Sequence, residues 1–297
     1  MPTTISSTLN DEIISQKALE AFTAELAPLN AFSTDFSSEF AGKGTAIQVP
    51  LLSSLSATTT ENDYETDSGS AGYVTVPLDK YQKSTVGLTD KQFASSSAAT
   101  LELFAAQQAK AVARAVLLDV LSLVLNANFA AKTTKALASF TSADVRAIRV
   151  ALSKADIPKS DRTLFLDPDY YDKLVGDTSI SIASALHYGG TDVIREGNIP
   201  RFLGFGITES TIIPDNSENL KGFACHPSAL AIAMRVLQPQ EPSEYLETRT
   251  VTDKKTGITL GYRRHYSPAK GKHFVTFEAV YGRVVADGTA LHRIVSA

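Results

Sequence analysis

The stretch from Ser97 to Asn126 constrains the fold of this chain more than any other segment. No Pro or Gly interrupts it, Ser95, Ser96 and Ser97 offer N-cap oxygens, and Glu102 sits near its positive end. The pattern predicts one helix of about 30 residues, roughly 45 Å long, against a globular average of ~11–12 residues. In its first half Leu101, Phe104, Ala105, Val112 and Val116 share a face, with Gln107, Lys110 and Arg114 opposite. From Leu117 to Leu125 the surface turns apolar nearly all round, apart from Asp119 and Ser122, so other elements have to bury that end. The charge-free run from Val120 to Ala131 spans about 12 residues, short of the ~20 a bilayer crossing needs. Two readings stay open on this segment alone: a core helix of an ordinary domain, or a strut along an elongated subunit.

A chain of 297 residues has room for two cores. Its net charge of −4 argues against a dedicated nucleic-acid binder, which carries a basic patch. The single cysteine, Cys225, follows Phe223 and Ala224 and reads as a small buried side chain. One thiol makes neither a disulfide nor a thiolate metal site within one chain. Residues 1–6 lack a basic region followed by an apolar run, so a soluble protein of a reducing cytosol is expected. No period of ~20–50 residues recurs, which disfavours a solenoid.

Ahead of the long helix, Asn10 to about Ala27 has helical spacing, with Asn10 as the cap and Pro28 as the stop. Phe32, Phe36 and Phe40 then recur every four residues in an irregular segment, 31–40, which reads as an arm lying on another surface. Strand-like runs follow at 45–49, 73–78 and 83–88. The Ser/Thr/acidic stretch between them is too polar to build its own core, since ordering each backbone residue costs about 1–2 kcal/mol. That combination predicts a long hairpin held by another molecule. Within it Glu61, Asp63, Glu65 and Asp67 alternate, so an extended chain presents four carboxylates on one face, either as a solvated loop or as a strip meeting a basic partner.

Beyond the long helix, Thr141 or Ser142 caps a helix at 143–155, with Val145, Ile148, Ala151 and Leu152 inward. Residues 162–166 read as a buried strand, and Asp167-Pro168-Asp169 opens a further helix with Asp as cap and Pro in the first turn. Residues 202–207 and 221–225 read as strands and 229–236 as a helix. A hairpin comes next, 245–251 with 258–266 around the turn 253–257, then a strand at 273–280 and a closing run 283–295. The second half is therefore mixed α and β, mainly antiparallel.

Catalytic and metal constellations do not emerge. The carboxylates at 61–67 lack the spaced Gly and closing Glu of an EF-hand loop. Capping accounts for Asp167 and Asp169 without a metal, leaving Asp172 alone. Gly204-x-Gly206 is a fragment of a dinucleotide fingerprint whose third glycine position is Glu209. His187, His226, His265, His273 and His292 lack metal-ligand spacing, although a hairpin could bring His265 and His273 near each other. No catalytic residue, cofactor or metal ligand is assigned.

The order of elements resembles the major capsid (coat) proteins of tailed bacteriophages, the Hong Kong 97-type fold. Residues 42–50 (Gly-Lys-Gly-Thr-Ala-Ile-Gln-Val-Pro) are similar to that family's entry into its extended loop, and 164–171 to its strand-into-helix step. Residues 204–214 resemble the family's axial-domain strand, and 223–233 the strand and helix after it. Residues 253–258 and 278–282 complete a collinear series from about Asn10. The resemblance implies an α+β chain divided into an N-terminal arm (1–41), an extended loop (42–92), a peripheral domain with spine helix (93–160 and 237–280) and an axial domain (161–236 and 281–297). It implies a subunit that self-assembles as pentamers and hexamers into an icosahedral shell, enclosing DNA without sequence-specific contacts and without a membrane. Scaffolding, portal and decoration proteins are the implied partners, the virion its location and the host cytoplasm its place of assembly. The family's long N-terminal scaffolding segment has no counterpart here, so a separate scaffold, a trimmed segment or none is expected. The alternatives are an encapsulin-type nanocompartment of the same fold and, from another class, a monomeric adhesin or binding module.

On this reading the acidic strip Glu61, Asp63, Glu65 and Asp67 faces basic groups of a neighbouring subunit, with Lys110 and Arg114 as its partners and Tyr64, Tyr73 and Tyr81 as anchors. The hairpins at 245–266 or 273–280 are expected to cover the apolar end of the long helix.

Overall fold

The computed structural model describes residues 7–40, 46–52, 71–95, 98–177, 199, 201–237, 245–253 and 258–297. Two helices and one sheet form its frame. Helix α1 (Ser7–Leu26) packs along α3 (Ala98–Leu121), and both lie on a six-stranded sheet. That sheet contains β1 (Ser33–Phe40), β4 (Lys80–Thr89), β10 (Leu230–Val236), β11 (Glu247–Thr252), β12 (Thr259–Ser267) and β13 (Lys272–Val285). A second six-stranded sheet runs in the order β5 (Lys132–Thr134), β14 (Leu291–Val295), β9 (Leu220–Cys225), β6 (Thr163–Leu166), β8 (Phe205–Glu209) and β7 (Arg201–Phe202). Helices α4 (Ser142–Lys154) and α5 (Pro168–Val175) belong with it, and β2 (Ala46–Leu52) pairs with β3 (Ala71–Pro77) as a separate ribbon. The short α2 (Asp90–Ser95) joins β4 to α3.

The long helix is real but shorter than its sequence predicts. Its 24 residues make a rod of about 36 Å. It stops at Leu121, and the chain to Asn128 runs in turns. The reason is tertiary: Asn216 donates its side-chain amide to the carbonyls of Leu121 (3.2 Å) and Val124 (2.7 Å), and the Ser122 hydroxyl takes the Asp119 carbonyl. The cover on this end also differs from expectation. Asn216 and the Glu218 carboxylate, which accepts from the Asn126 N–H, come from the loop before β9, while Tyr281 and Arg283 come from the far end of β13. Leu117, Val120, Leu121 and Val124 are buried beneath them.

The buried face of α3 is rotated from the expected one. Ala105, Ala109, Ala113, Val112 and Val116 face inward, and the small alanines let α1 approach closely through Ala18, Leu19 and Phe22. Gln108 turns in with them because its amide donates to the carbonyls of Ser84 (3.3 Å) and Val275 (3.2 Å). Phe104, expected inside, is instead 48% exposed.

Four further expectations are corrected. Asn10 lies inside α1 rather than capping it, since the helix starts at Ser7. The arm at 31–40 is not irregular: a 3-10 turn at Ala27–Ala31 leads into β1 (Ser33–Phe40), which pairs in parallel with β10. Residues 230–236 form a strand, not a helix: β10 is buried along its whole length between β1 and β13, and a short apolar run buried on both faces has no period to separate strand from helix. Residues 202–207 are broken by a turn at Leu203 (φ 51°) and Gly204 (φ 88°), where glycine relieves the left-handed backbone. The caps were legible. Asp167 accepts from the Asp169 N–H at 3.2 Å, and Asp144 accepts from the Thr141 N–H at 3.0 Å to start α4.

The two sheets cut across the expected division of the chain. β1 and β10 sit in the sheet that carries the long helix, whereas β5 and α4 pack with the other. Phe32 ties the frame together: just after the 3-10 turn that follows α1, its ring stacks on Phe165 and Phe223 of the second sheet, 6.3 Å from each.

Candidate functional site

Function begins where the β2–β3 ribbon leaves the body. The two strands pair with each other from Ala46↔Pro77 to Leu52↔Ala71, and with no other described strand. Two residues later the chain enters β4, which pairs with β13 along its whole length, from Lys80↔Tyr281 to Thr89↔Lys272. The returning arm of the expected loop is therefore an integral strand of the main sheet.

Of the expected contact residues, Glu61, Asp63, Tyr64, Glu65 and Asp67 lie outside the described residues. Tyr73 stands opposite Pro50 in the ribbon, and its side chain also lies outside the description. Tyr81 is not the spare anchor it was expected to be. Its hydroxyl donates to Glu278 at 2.6 Å, and burial together with that carboxylate pushes the phenol upward from its ordinary value. Its ring remains 43% exposed. Lys110 and Arg114 do lie on the exposed face of α3, and neither forms an ion pair among the described residues. Leu103 and Phe104 before them, and Leu118 after them, are exposed apolar side chains on the same helix. The result is a stripe with apolar ends and a basic centre.

Three tyrosine–carboxylate–arginine clusters, which sequence reading missed, tie α1 to the sheet, α3 to the sheet, and three strands of the sheet to one another. Asp11 of α1 accepts from the Tyr262 hydroxyl (3.0 Å) and pairs with Arg264 (2.9 Å). Asp119 of α3 accepts from the Tyr281 hydroxyl (2.9 Å) and from Arg283 through Nε (2.6 Å) and Nη2 (2.7 Å). Glu278 of β13 joins Tyr81 and Arg263, the latter at 2.5 Å. In the first two, Tyr and Arg stand two apart on one strand and so share a face. The repeated Tyr-x-Arg at 262–264 and 281–283 was the available signal. Burial raises the Asp11 carboxyl even though Arg264 pulls it down. Paired charges of this kind fix how elements sit rather than add much net stability.

The four described histidines are each placed by a structural neighbour. His265 stacks on Phe274, whereas His273 lies 3.4 Å from Asp90, so the two hairpin histidines form no common site. His292 meets the Thr133 hydroxyl at 2.9 Å and His226 meets that of Ser228 at 2.9 Å; His187 lies outside the described residues. Cys225 is fully buried, and burial pushes its thiol upward. Among the described residues no three His, Cys, Asp or Glu side chains come together as a metal site, and no helix is long and apolar enough to cross a membrane.

Solved structures similar to this chain include phage capsids. The solved capsid of cyanophage P-SCSP1u superposes with a TM-score of 0.61 at 16% identity, over 90% of this chain and 86% of that one. A Mycobacterium phage Che8 chain gives 0.55 at 19% identity over 84% of each, and the capsid of an empty GTA particle gives 0.54 at 15%, over 90% and 89%. These likenesses establish the architecture, the Hong Kong 97-type fold. Comparison with curated protein sequences returns no match. The family model described as phage capsid protein matches residues 72–281, from the return strand of the ribbon through most of β13. That match favours a capsid subunit over an encapsulin or an adhesin. The chain belongs to the phage capsid protein family, as the structural protein of a capsid shell.

Proposed function

We propose that this subunit builds the icosahedral head of a tailed phage, as pentamers and hexamers closed around packaged DNA, with the β2–β3 ribbon clamping a neighbouring copy. The observation that carries the reading is the ribbon itself, strand-paired among the described residues only within itself and joined to a strand embedded in the main sheet. A stable interface typically buries ~1,200–2,000 Å², and a ribbon supplies such area without enlarging the core. The strip Glu61, Asp63, Glu65 and Asp67 faces Lys110 and Arg114 on the α3 stripe of the neighbour. Between its end residues an extended seven-residue strip runs about 20 Å, and the helix from Leu103 to Leu118, 15 rises, runs about 22 Å. Tyr64 and Tyr73 add anchors. The net charge of −4 suits a shell that holds DNA by enclosure rather than by base contacts. Assembly takes place in the host cytoplasm, with scaffolding, portal and decoration proteins as further partners.

The test is to replace residues 48–74 with a short Gly/Ser linker. Removing everything from Thr45 to Leu88 is too much, because β4 pairs along all of β13's first half and its loss would open the sheet. The shortened subunit is expected to keep its helix by circular dichroism and to form no shells by light scattering and negative-stain microscopy. Closed shells from it would refute the clamp.

A further inference from the structure

The face of β10 and β13 turned away from α3 carries small residues where a sheet face ordinarily carries large ones. Along β10, Ile232 and Met234 join the main core, while Ala231 and Ala233 belong to a separate small cluster on the other face. Gly282 stands opposite Ala233 across the ladder. Its neighbours Tyr281 and Arg283 both point to Asp119 on α3, so Gly282 faces the alanines' side. The root of the ribbon sits on this shelf. Val76 is fully buried against Ala231 and Ala233. A Cβ on Gly282 would collide with the Pro77 carbonyl oxygen and stand 2.8 Å from Val76 Cγ1, so the root's backbone rests directly on the glycine.

We propose that the Ala231–Ala233–Gly282 shelf sets the angle at which the ribbon leaves the subunit, and thereby selects the curvature of the shell. The inference rests on the ribbon holding a neighbouring copy. Beyond Val76 and Pro77 the ribbon pairs, among the described residues, only with itself, so a displacement of its root moves it as one body. A Cβ at position 282 needs ordinary non-bonded separation, which lifts the root by about 1 Å. Pivoting about one strand spacing of ~4.8 Å, that lift tilts a ~23 Å strand by roughly 12° and carries its far end ~5 Å. A neighbour engaged by the far end is then met at a different angle in every copy. Shell diameter is the quantity that reads this angle.

The experiment compares the full chain with Gly282→Ala and Val76→Ala, taking Gly176→Ala as reference because a Cβ there meets nothing closer than 3.5 Å. Particle diameters are measured by electron microscopy and light scattering, alongside circular dichroism of the subunits. Gly282→Ala is expected to keep the wild-type spectrum and lose particles of wild-type diameter. Val76→Ala, which empties the socket without a clash, is expected to broaden the diameters, and Gly176→Ala to leave them unchanged. Wild-type diameters from both Gly282→Ala and Val76→Ala overturn the shelf. Should Gly282→Ala prove insoluble, the diameters of Val76→Ala decide alone. Subunits lacking residues 48–74 that still close into shells overturn the clamp instead; their failure, beside unaltered shells from both shelf variants, overturns the shelf only.

Discussion

Asp119→Asn removes the charge at the centre of the α3 clamp while keeping its shape. In the native subunit the carboxylate takes two short bonds from Arg283 and one from the Tyr281 hydroxyl. An amide has one oxygen to offer them, and its NH2 faces a guanidinium donor. At least one charge-assisted bond is lost, at about 1.5–3 kcal/mol, and Arg283, whose side chain is 14% exposed, keeps a charge without its counter-ion. Breaking a fully buried pair costs about 3–5 kcal/mol. Asp119 retains 26% of its exposure, so water screens part of that and about 2–3 kcal/mol is the expected loss. Unfolding entropy of about 2.1 cal/mol/K per residue, taken over a chain of 297 residues unfolding as one unit, converts each kcal/mol to ~1.6 °C. The melting temperature of unassembled subunits should therefore fall by roughly 3–5 °C. Tyr281→Phe is the internal reference, because it deletes one bond and leaves the ion pair, and about 1–2 °C is expected. Scanning calorimetry and urea titration of the three proteins make the comparison. An unchanged Asp119→Asn midpoint, or a larger loss from Tyr281→Phe, refutes the reasoning.

Two further outcomes are expected. Burial lowers both His226 and His292, so the folded state prefers the neutral rings while the unfolded chain takes up protons near the usual ~6.5. Stability is then full above that value and declines as pH falls through it; Asp11, raised by burial, acts in the opposite sense and only nearer the carboxylate range. Melting temperatures from pH 7.5 to 5.5 should fall for the wild type and flatten for His226→Asn with His292→Gln, and an equal slope in both proteins rules the histidines out. Neutralising Glu61, Asp63, Glu65 and Asp67 together should weaken assembly at low salt, with the deficit fading as salt screens the contact. Equal shell yields at low salt would assign the strip to solvent.

Sequence made legible whatever depends on near neighbours. The long helix, the Asp167-Pro168-Asp169 start, the turn after Ser267 and the hairpin of β11 with β12 all arise from caps, breakers and alternation within a few residues. What stayed hidden was set at long range. α3 ends at Leu121 because Asn216, 92 positions beyond Val124, takes its last carbonyls. β10 is a strand because β1 and β13 bury both its faces, although Ala, Leu and Met suit a helix as well. The expected contact surface divides on the same line. The exposed placement of Lys110 and Arg114 on α3 was legible from helical spacing, whereas the engagement of the Tyr81 hydroxyl was hidden because Glu278 lies 197 residues away.

The pairing of β5 with β14 has a consequence in time. Thr133 lies beside Ile294, so this edge of the second sheet cannot close until some 160 further residues have been translated. At ribosomal rates of about 5–20 residues per second that is roughly 10–30 s. The β2–β3 ribbon is local and can zip within microseconds of its own synthesis. The ribbon's strands can thus meet many seconds before the second sheet is whole, but its root gains its seat on Ala231, Ala233 and Gly282 only once β10 and β13 have been made. On a polysome, neighbouring chains at this stage lie close together, each with an open sheet edge and apolar surface still uncovered. Orderly production of such a subunit depends on the slow non-local closure outrunning encounters between unfinished copies.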